Sequence, residues 1–319
     1  MDNPMLKSIF SSLVLVSSVA FAFDAPEPLK GQIRFAIIGD LTGGERDGVF
    51  KVASKGIEQM QPDFIMSIGD LIEGGTEDEA QMNSEWATFQ NNLGNKGIPF
   101  YPAVGNHDIS NAKMRTWYEK TIGPRYYHFV YQNSLFIVMD SEDFTDAFFT
   151  DLKVKRNQAI EVYKKDPAQF ENTEYAKLSQ RYYGEISDNQ RDYVIDAIQE
   201  NPNVRWTFIF MHKPVWQNEQ EKNFKAIETE LMGRNYTVFN GHVHSYQYTQ
   251  RLGQDYIQLA TSGGKIFEDQ LVNMDHIMWV GLSGDKPTYL NIKLDGMRDK
   301  KGEIPASGQS LCFDNADCK

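Results

Sequence analysis

The sequence predicts an α/β fold built on mixed sheets, and three observations carry that expectation. Short apolar runs such as Ile37-Ile38, Phe64-Ile65-Met66 and Phe208-Ile209-Phe210 alternate with stretches of helical spacing. Several runs end in glycine followed by Asp, Asn or His, at the carboxyl ends of strands, where open α/β sheets place their sites. From Tyr126 onward strands come in hairpins, so the sheets are mixed rather than wholly parallel.

In chain order, Lys7 followed by an apolar stretch from Ile9 to Ala22, ending Ala20-Phe21-Ala22, reads as a secretory signal peptide over 1–22, cut before Phe23. The stretch is shorter than the roughly 20 residues a membrane span needs, and no cysteine follows the cut. The expected product is secreted or periplasmic, without a membrane anchor. Residues 23–298 form the expected domain, with strands over Gln32–Gly39, Pro62–Gly69 and Ile98–Val104. Helices are expected behind them over Asp47–Met60 and Asp78–Leu93. A hairpin joins Tyr126–Val130 to Leu135–Asp140.

Residues 143–183 read as an insertion of two helices broken near Asp166-Pro167, either a solvated elaboration or a cap that restricts substrate size. Ser187–Gln199 is an amphipathic helix with Ser187 as its N-cap. Val204–Phe210, Tyr256–Leu259 and Tyr289–Leu294 are further strands, and Phe224–Met232 a further helix. Residues 299–319 are a tail in which Cys312 and Cys318, the two cysteines of the chain, would close a small loop in an oxidising compartment. With no histidine nearby, their spacing matches no zinc pattern.

The formal net charge is −12, and loss of residues 1–22 leaves it unchanged because Asp2 and Lys7 cancel. So acidic a chain offers no general electrostatic surface for nucleic acid or anionic membranes. No Gly-x-Ser-x-Gly marks a serine hydrolase. Gly43-Gly44 is not a P-loop, because no Gly-Lys-Ser/Thr follows it, although its N–H groups suit an anion.

The ligand-type residues fall in five ordered stretches: Gly39-Asp40, Gly69-Asp70, Gly105-Asn106-His107-Asp108, Met211-His212 and Gly241-His242-Val243-His244. On a strand, His242 and His244 would share one face. Together the five resemble the calcineurin-like metallophosphoesterases, with their GDxH, GDxx, GNH(D/E), lone H and GHxH, over about Ile33 to Tyr289. The resemblance implies a four-layer sandwich of two facing mixed sheets flanked by helices, with the site on loops at one end. It also implies a phosphate-ester substrate and two transition-metal ions, of Mn, Fe or Zn. Such pairs, held about 3.5–4 Å apart, offset the anion's charge and activate water.

By the family pattern Asp70 bridges the ions. Asp40 and His244 hold one of them, and Asn106, His212 and His242 the other. His107 protonates the leaving group, oriented by Asp108, or else serves only as a hydrogen-bond partner of the ligands. One position departs from the pattern: Thr42 stands where histidine is expected. Glu73, three residues beyond Asp70, is the candidate replacement ligand, since purple acid phosphatases place a tyrosine ligand there; otherwise it is a solvent-facing acid. The alternative to an enzyme is a relative that binds metal or phosphate without turnover. His128 and His276 read as packing residues, and Trp216, Tyr246 and Tyr248 as a substrate rim or core.

Overall fold

Five of the six side chains of the first strand are buried, and period two divides them between two cores. Ile33, Phe35 and Ile37 face one layer while Ala36 and Ile38 face another. That division repeats through the molecule, a computed structural model that describes residues 31–94, 97–267 and 272–297. The expected signal peptide and the tail with Cys312 and Cys318 lie outside the described residues.

The chain begins β1 (Ile33–Ile38), α1 (Val49–Met60), β2 (Phe64–Ser67), α2 (Glu79–Leu93), β3 (Phe100–Tyr101) and α3 (Ala112–Thr121). The hairpin β4 (Tyr127–Tyr131) and β5 (Ser134–Val138) follows, then α4 (Asp146–Lys165), α5 (Ser179–Tyr183) and α6 (Asp188–Glu200). Next come β6 (Trp206–Phe210), α7 (Lys222–Glu230) and β7 (Tyr236–Asn240). The last strands are β8 (Gln247–Arg251), β9 (Gln254–Gln258), β10 (His276–Ser283) and β11 (Lys286–Lys293).

Two mixed sheets result, ordered β11-β10-β1-β2-β3 and β4-β5-β6-β7-β9-β8. Their inner faces meet through Phe35, Phe64, Phe136, Phe208, Phe210 and Phe239. The Phe35 ring stacks on Phe64 at 5.3 Å and meets Phe208 edge-on at 5.2 Å, both within the range of favourable aromatic pairs. On the outer face of the first sheet, α2 packs Met82, Trp86, Phe89 and Leu93, spaced by three and four residues along one stripe. Asp78 caps that helix by accepting the Ala80 N–H. The second sheet is covered through Val194 and Ile198 of α6 and Phe224 and Ile227 of α7. The expected four-layer arrangement is the one observed.

Several expected elements differ in extent. The third strand shrinks to Phe100–Tyr101, because Pro99 and Pro102 flank it and lack the N–H a ladder needs. α3, β8 and β10 are additional. β10 is central: it pairs antiparallel with β1, and Ile277, Met278, Val280 and Leu282 are fully buried. The insertion runs as one helix to Lys165, breaks at Asp166-Pro167 as expected, and ends in α5. His128 packs as expected, its Nδ1 2.8 Å from the Tyr193 hydroxyl.

His276, at the start of β10, is fully buried; its Nε2 accepts the Ala260 N–H at 3.0 Å, and Nδ1 lies 2.8 Å from Asn291 Oδ1. Burial pulls this imidazole down to about 4 from its ordinary value, against the smaller opposing pull of Asn291. The unfolded chain therefore takes up the proton first as pH falls, so stability is lost from about pH 6.5 down to about 4, on the order of 3 kcal/mol in all. Urea midpoints should fall across that window in the wild type and fall less steeply in His276→Gln, which has nothing to titrate there.

Candidate metal centre

The predicted ligands are delivered by loops that leave the carboxyl ends of β1, β2, β6 and β7 and by the loop after β3. Two glycines let them converge. A Cβ on Gly105 would lie 2.2 Å from Asp70 Oδ1, and one on Gly241 would lie 2.5 Å from Asp40 Oδ2. Only a residue without a side chain fits where a carboxylate crosses the backbone so closely.

Three of the predicted ligands carry a left-handed backbone: Asp70 at φ 57°, His242 at φ 73° and His244 at φ 57°. Such conformations cost a non-glycine residue of order 1–3 kcal/mol each and persist only where the surroundings impose them. The two histidines lie beyond β7, which ends at Asn240, so they do not share a strand face as the sequence suggested. The turned backbone sends His242 toward His212 and His244 toward Asp40 instead.

Each of three imidazoles gives one ring nitrogen to a backbone carbonyl. His212 Nδ1 lies 2.9 Å from Ile68 O, His242 Nε2 is 2.9 Å from Arg181 O, and His244 Nδ1 is 2.6 Å from Lys265 O. A carbonyl only accepts, so these nitrogens carry the proton and the other nitrogen of each ring presents its lone pair. Those lone pairs converge. Asp70 Oδ2, Asn106 Oδ1 and His242 Nδ1 each stand 3.2 Å from His212 Nε2. Ligands about 2.1 Å from a tetrahedral ion sit roughly 3.4 Å from one another, so this donor set fits a divalent ion. Asp40, Asp70 and His244 form a second group, its donor atoms within 4.8 Å of one another, and Asp70 belongs to both.

The protons reflect the same geometry. Burial pushes Asp70 upward, but His212 and His107 outweigh it and hold the carboxyl well below the usual range. Burial draws His212 downward, yet Asp70, Asp40 and Glu142 raise it to about 9. Burial, then Lys213 and His212, hold His242 far below its ordinary value, which keeps it neutral. The Asp40 carboxyl is raised, chiefly by burial.

Two expectations require correction. The Asp108 carboxylate does not orient the His107 ring; it accepts the backbone N–H groups of Gly105, Asp70 and Leu71, each at 2.8 Å, and of Ile72 at 3.2 Å. The ring is held by the Glu73 carbonyl, 2.7 Å from Nδ1. Glu73 joins neither donor group, because its Oε1 accepts the N–H groups of Gly44 at 3.0 Å and Glu45 at 2.8 Å. The anion expected at Gly43-Gly44 is thus this protein carboxylate. Thr42 is also engaged elsewhere, its hydroxyl donating to Asp70 O at 3.1 Å.

Above the donors lies a cavity of about 1040 Å³. Asp70, Asn106, His107, His242 and His244 are on its wall, and α4 and α5 also line it through Phe149, Leu152, Arg156 and Arg181. A buried pair that sequence reasoning missed lies there too: Lys213 Nζ, 2.7 Å from Glu142 Oε1, also donates to Gln180 O at 3.0 Å. The Lys213-Pro214 dipeptide shows where the chain turns, but nothing in it points to a glutamate 71 residues earlier.

Residues 33–246 match the model of the family described as calcineurin-like phosphoesterase. No curated protein matches the sequence. Among solved structures, a dimetal phosphatase from Danio rerio is similar at TM-score 0.55 and 13% identity, over 82% of this chain and 96% of that one. GAP50, the anchor in the inner membrane complex of Plasmodium, is similar at 0.54 and 13%, over 86% of each chain. PhoD is similar at 0.53 and 10%, over 84% of this chain and 70% of that one. At these identities the likeness is one of fold.

The geometry sets Glu73 and Asp108 apart experimentally. Glu73→Ala should retain the metal content of the wild type. Asp108→Ala should lower metal affinity about 10–100-fold, because it frees the loop that presents Asp70. Elemental analysis after gel filtration, with calorimetric metal titration, checks both.

Proposed function

The chain belongs to the calcineurin-like phosphoesterases, and on that premise we propose that it hydrolyses a phosphomonoester or phosphodiester at a two-metal centre formed by the convergent donors. One observation carries the reading: three imidazoles, each fixed by a backbone carbonyl, direct their lone pairs at buried carboxylates of which one is shared. In this assignment Asn106, His212 and His242 would hold one ion, Asp40 and His244 the other, with Asp70 common to both groups. Two cations held there would supply positive charge against the phosphoryl group and lower the pKa of a bound water.

The protein's own part is to position and to move a proton. His107 is fixed at two points, its N–H donating to Asp70 Oδ1 at 2.9 Å and its Nδ1 facing Glu73 O. Its Nε2 stays on the cavity side, where a Cβ on Gly43 would come within 3.5 Å of it. Burial lowers its pKa, but Asp70 and the Glu73 carbonyl more than offset that and raise it above the ordinary value. An imidazolium held there can give its Nε2 proton to a departing alkoxide.

A second reading, binding without turnover, is favoured by the engagement of Thr42, which among the described residues leaves the Asp40 side with Asp40, Asp70 and His244. The fold is shared with GAP50, described as the anchor in the inner membrane complex of Plasmodium. Export with loss of residues 1–22 belongs to the same proposal, supported by the basic and apolar pattern of that stretch.

Turnover of nitrophenyl and alkyl phosphates after reconstitution with Mn²⁺, Fe²⁺ or Zn²⁺ separates the readings, since a pure binder retains metal and releases no phosphate. Asp70→Asn and His242→Ala should lose both metal and activity. His107→Asn should keep its metal and slow alkyl phosphates by about 10²–10⁴-fold, with nitrophenyl phosphate much less affected because nitrophenolate leaves without a proton. Equal slowing of the two would remove the proton-donor role. Intact mass of protein from its native host should begin at Phe23.

A further inference from the structure

Arg181 stands where the insertion meets the metal centre. Its carbonyl faces His242 Nε2 at 2.9 Å, which fixes its backbone one imidazole away from the donors. Its guanidinium lies over three rings, 5.2 Å from the centroid of Phe170, 5.3 Å from Tyr175 and 4.8 Å from Tyr182. Nη1 donates to the Tyr182 hydroxyl at 2.7 Å, and no carboxylate contacts the group among the described residues. Arg156, exposed on α4, lines the same cavity and likewise has no carboxylate partner among the described residues.

The other two lysine or arginine side chains on the cavity wall among the described residues are neutralised, Lys153 by Glu77 at 2.5 Å and Lys213 by Glu142 at 2.7 Å. In a chain where 44 acids outnumber 32 lysines and arginines, a partner for either arginine would be easy to supply. The ring cage pre-orders Arg181, so little side-chain freedom is lost when it takes a ligand. Planar guanidinium matches the oxygens of a phosphate in a bidentate manner. A cavity of about 1040 Å³ also has room for far more than the phosphoryl group at the donors.

We propose that Arg181 and Arg156 bind a second phosphate on the substrate, remote from the one at the metal centre, so that the preferred substrate class is a small molecule bearing two phosphates. The inference rests on the phosphoesterase reading for the first phosphate and extends it to what the insertion recognises. Both arginines determine specificity; neither touches the reacting atoms.

Titration calorimetry on the metal-loaded full chain with two non-hydrolysable probes, propylphosphonate and propane-1,3-bisphosphonate, tests it. The bisphosphonate should bind about 10-fold or more tighter, the size expected for a charge-assisted contact. Arg156→Gln and Arg181→Gln should each narrow that ratio to about 3-fold or less. Equal affinities in the wild type overturn the proposal. So does a full ratio kept in both variants, which would assign the second phosphonate to the metals. Arg156 is exposed on a helix surface, so its variant folds whatever Arg181→Gln does to α5. Because binding is read without turnover, a protein that shows the arginine-dependent ratio yet hydrolyses no ester would refute the phosphoesterase reading and leave the recognition of a two-phosphate ligand by Arg156 and Arg181 standing.

Discussion

The Asp108 carboxylate, accepting the N–H groups of Gly105, Asp70, Leu71 and Ile72, is the contact on which the site depends. It is fully buried and fastens the loop after β2 to the loop after β3. A carboxylate buried in that way is tolerated because its hydrogen bonds are satisfied. What it imposes is the left-handed turn at Asp70, without which that side chain would not lie between the imidazoles. The backbone N–H of His107 then donates to Asp70 Oδ1, so His107 and the carboxylate common to both donor groups are placed by one arrangement.

Much of this was legible in the amino-acid order, for identifiable reasons. Strand ends that read apolar, glycine, ligand are constrained both by burial and by close backbone approach, so β1, β2, β6 and β7 and the donors beyond them could be read directly. β10 escaped because Ile277, Met278, Trp279 and Val280 form an unbroken apolar run, with no alternation to mark a strand whose two faces are both covered. β8 escaped for the opposite reason: Gln247-Tyr248-Thr249-Gln250-Arg251 lies at a sheet edge, largely exposed, and has no apolar face. Glu73 was misread because spacing along the chain does not reveal that the N–H groups of Gly44 and Glu45 wait for its carboxylate. The carbonyls of Ile68, Arg181 and Lys265 were invisible in principle, since every residue has one.

The two donor groups are unequal, and the fold explains the inequality. Around His212 Nε2 three donors from three different loops, Asp70 Oδ2, Asn106 Oδ1 and His242 Nδ1, each stand at 3.2 Å. On the Asp40 side the hydroxyl of Thr42 is turned away to Asp70 O, and Glu73 tightens the neighbouring loop instead of reaching inward. The richer group is also the one roofed by α5, whereas His244 lies against the Gly43-Gly44 and Lys265 segments.

The insertion touches the catalytic floor through main-chain oxygens, Gln180 O on Lys213 and Arg181 O on His242. A peptide oxygen is the same whatever residue bears it. Mutation along 143–183 can therefore reshape what the cavity admits while the imidazole beneath keeps its tautomer and its aim. Descendants of this chain could exchange one ester for another by drift in the roof alone, with the hydrolytic apparatus inherited intact.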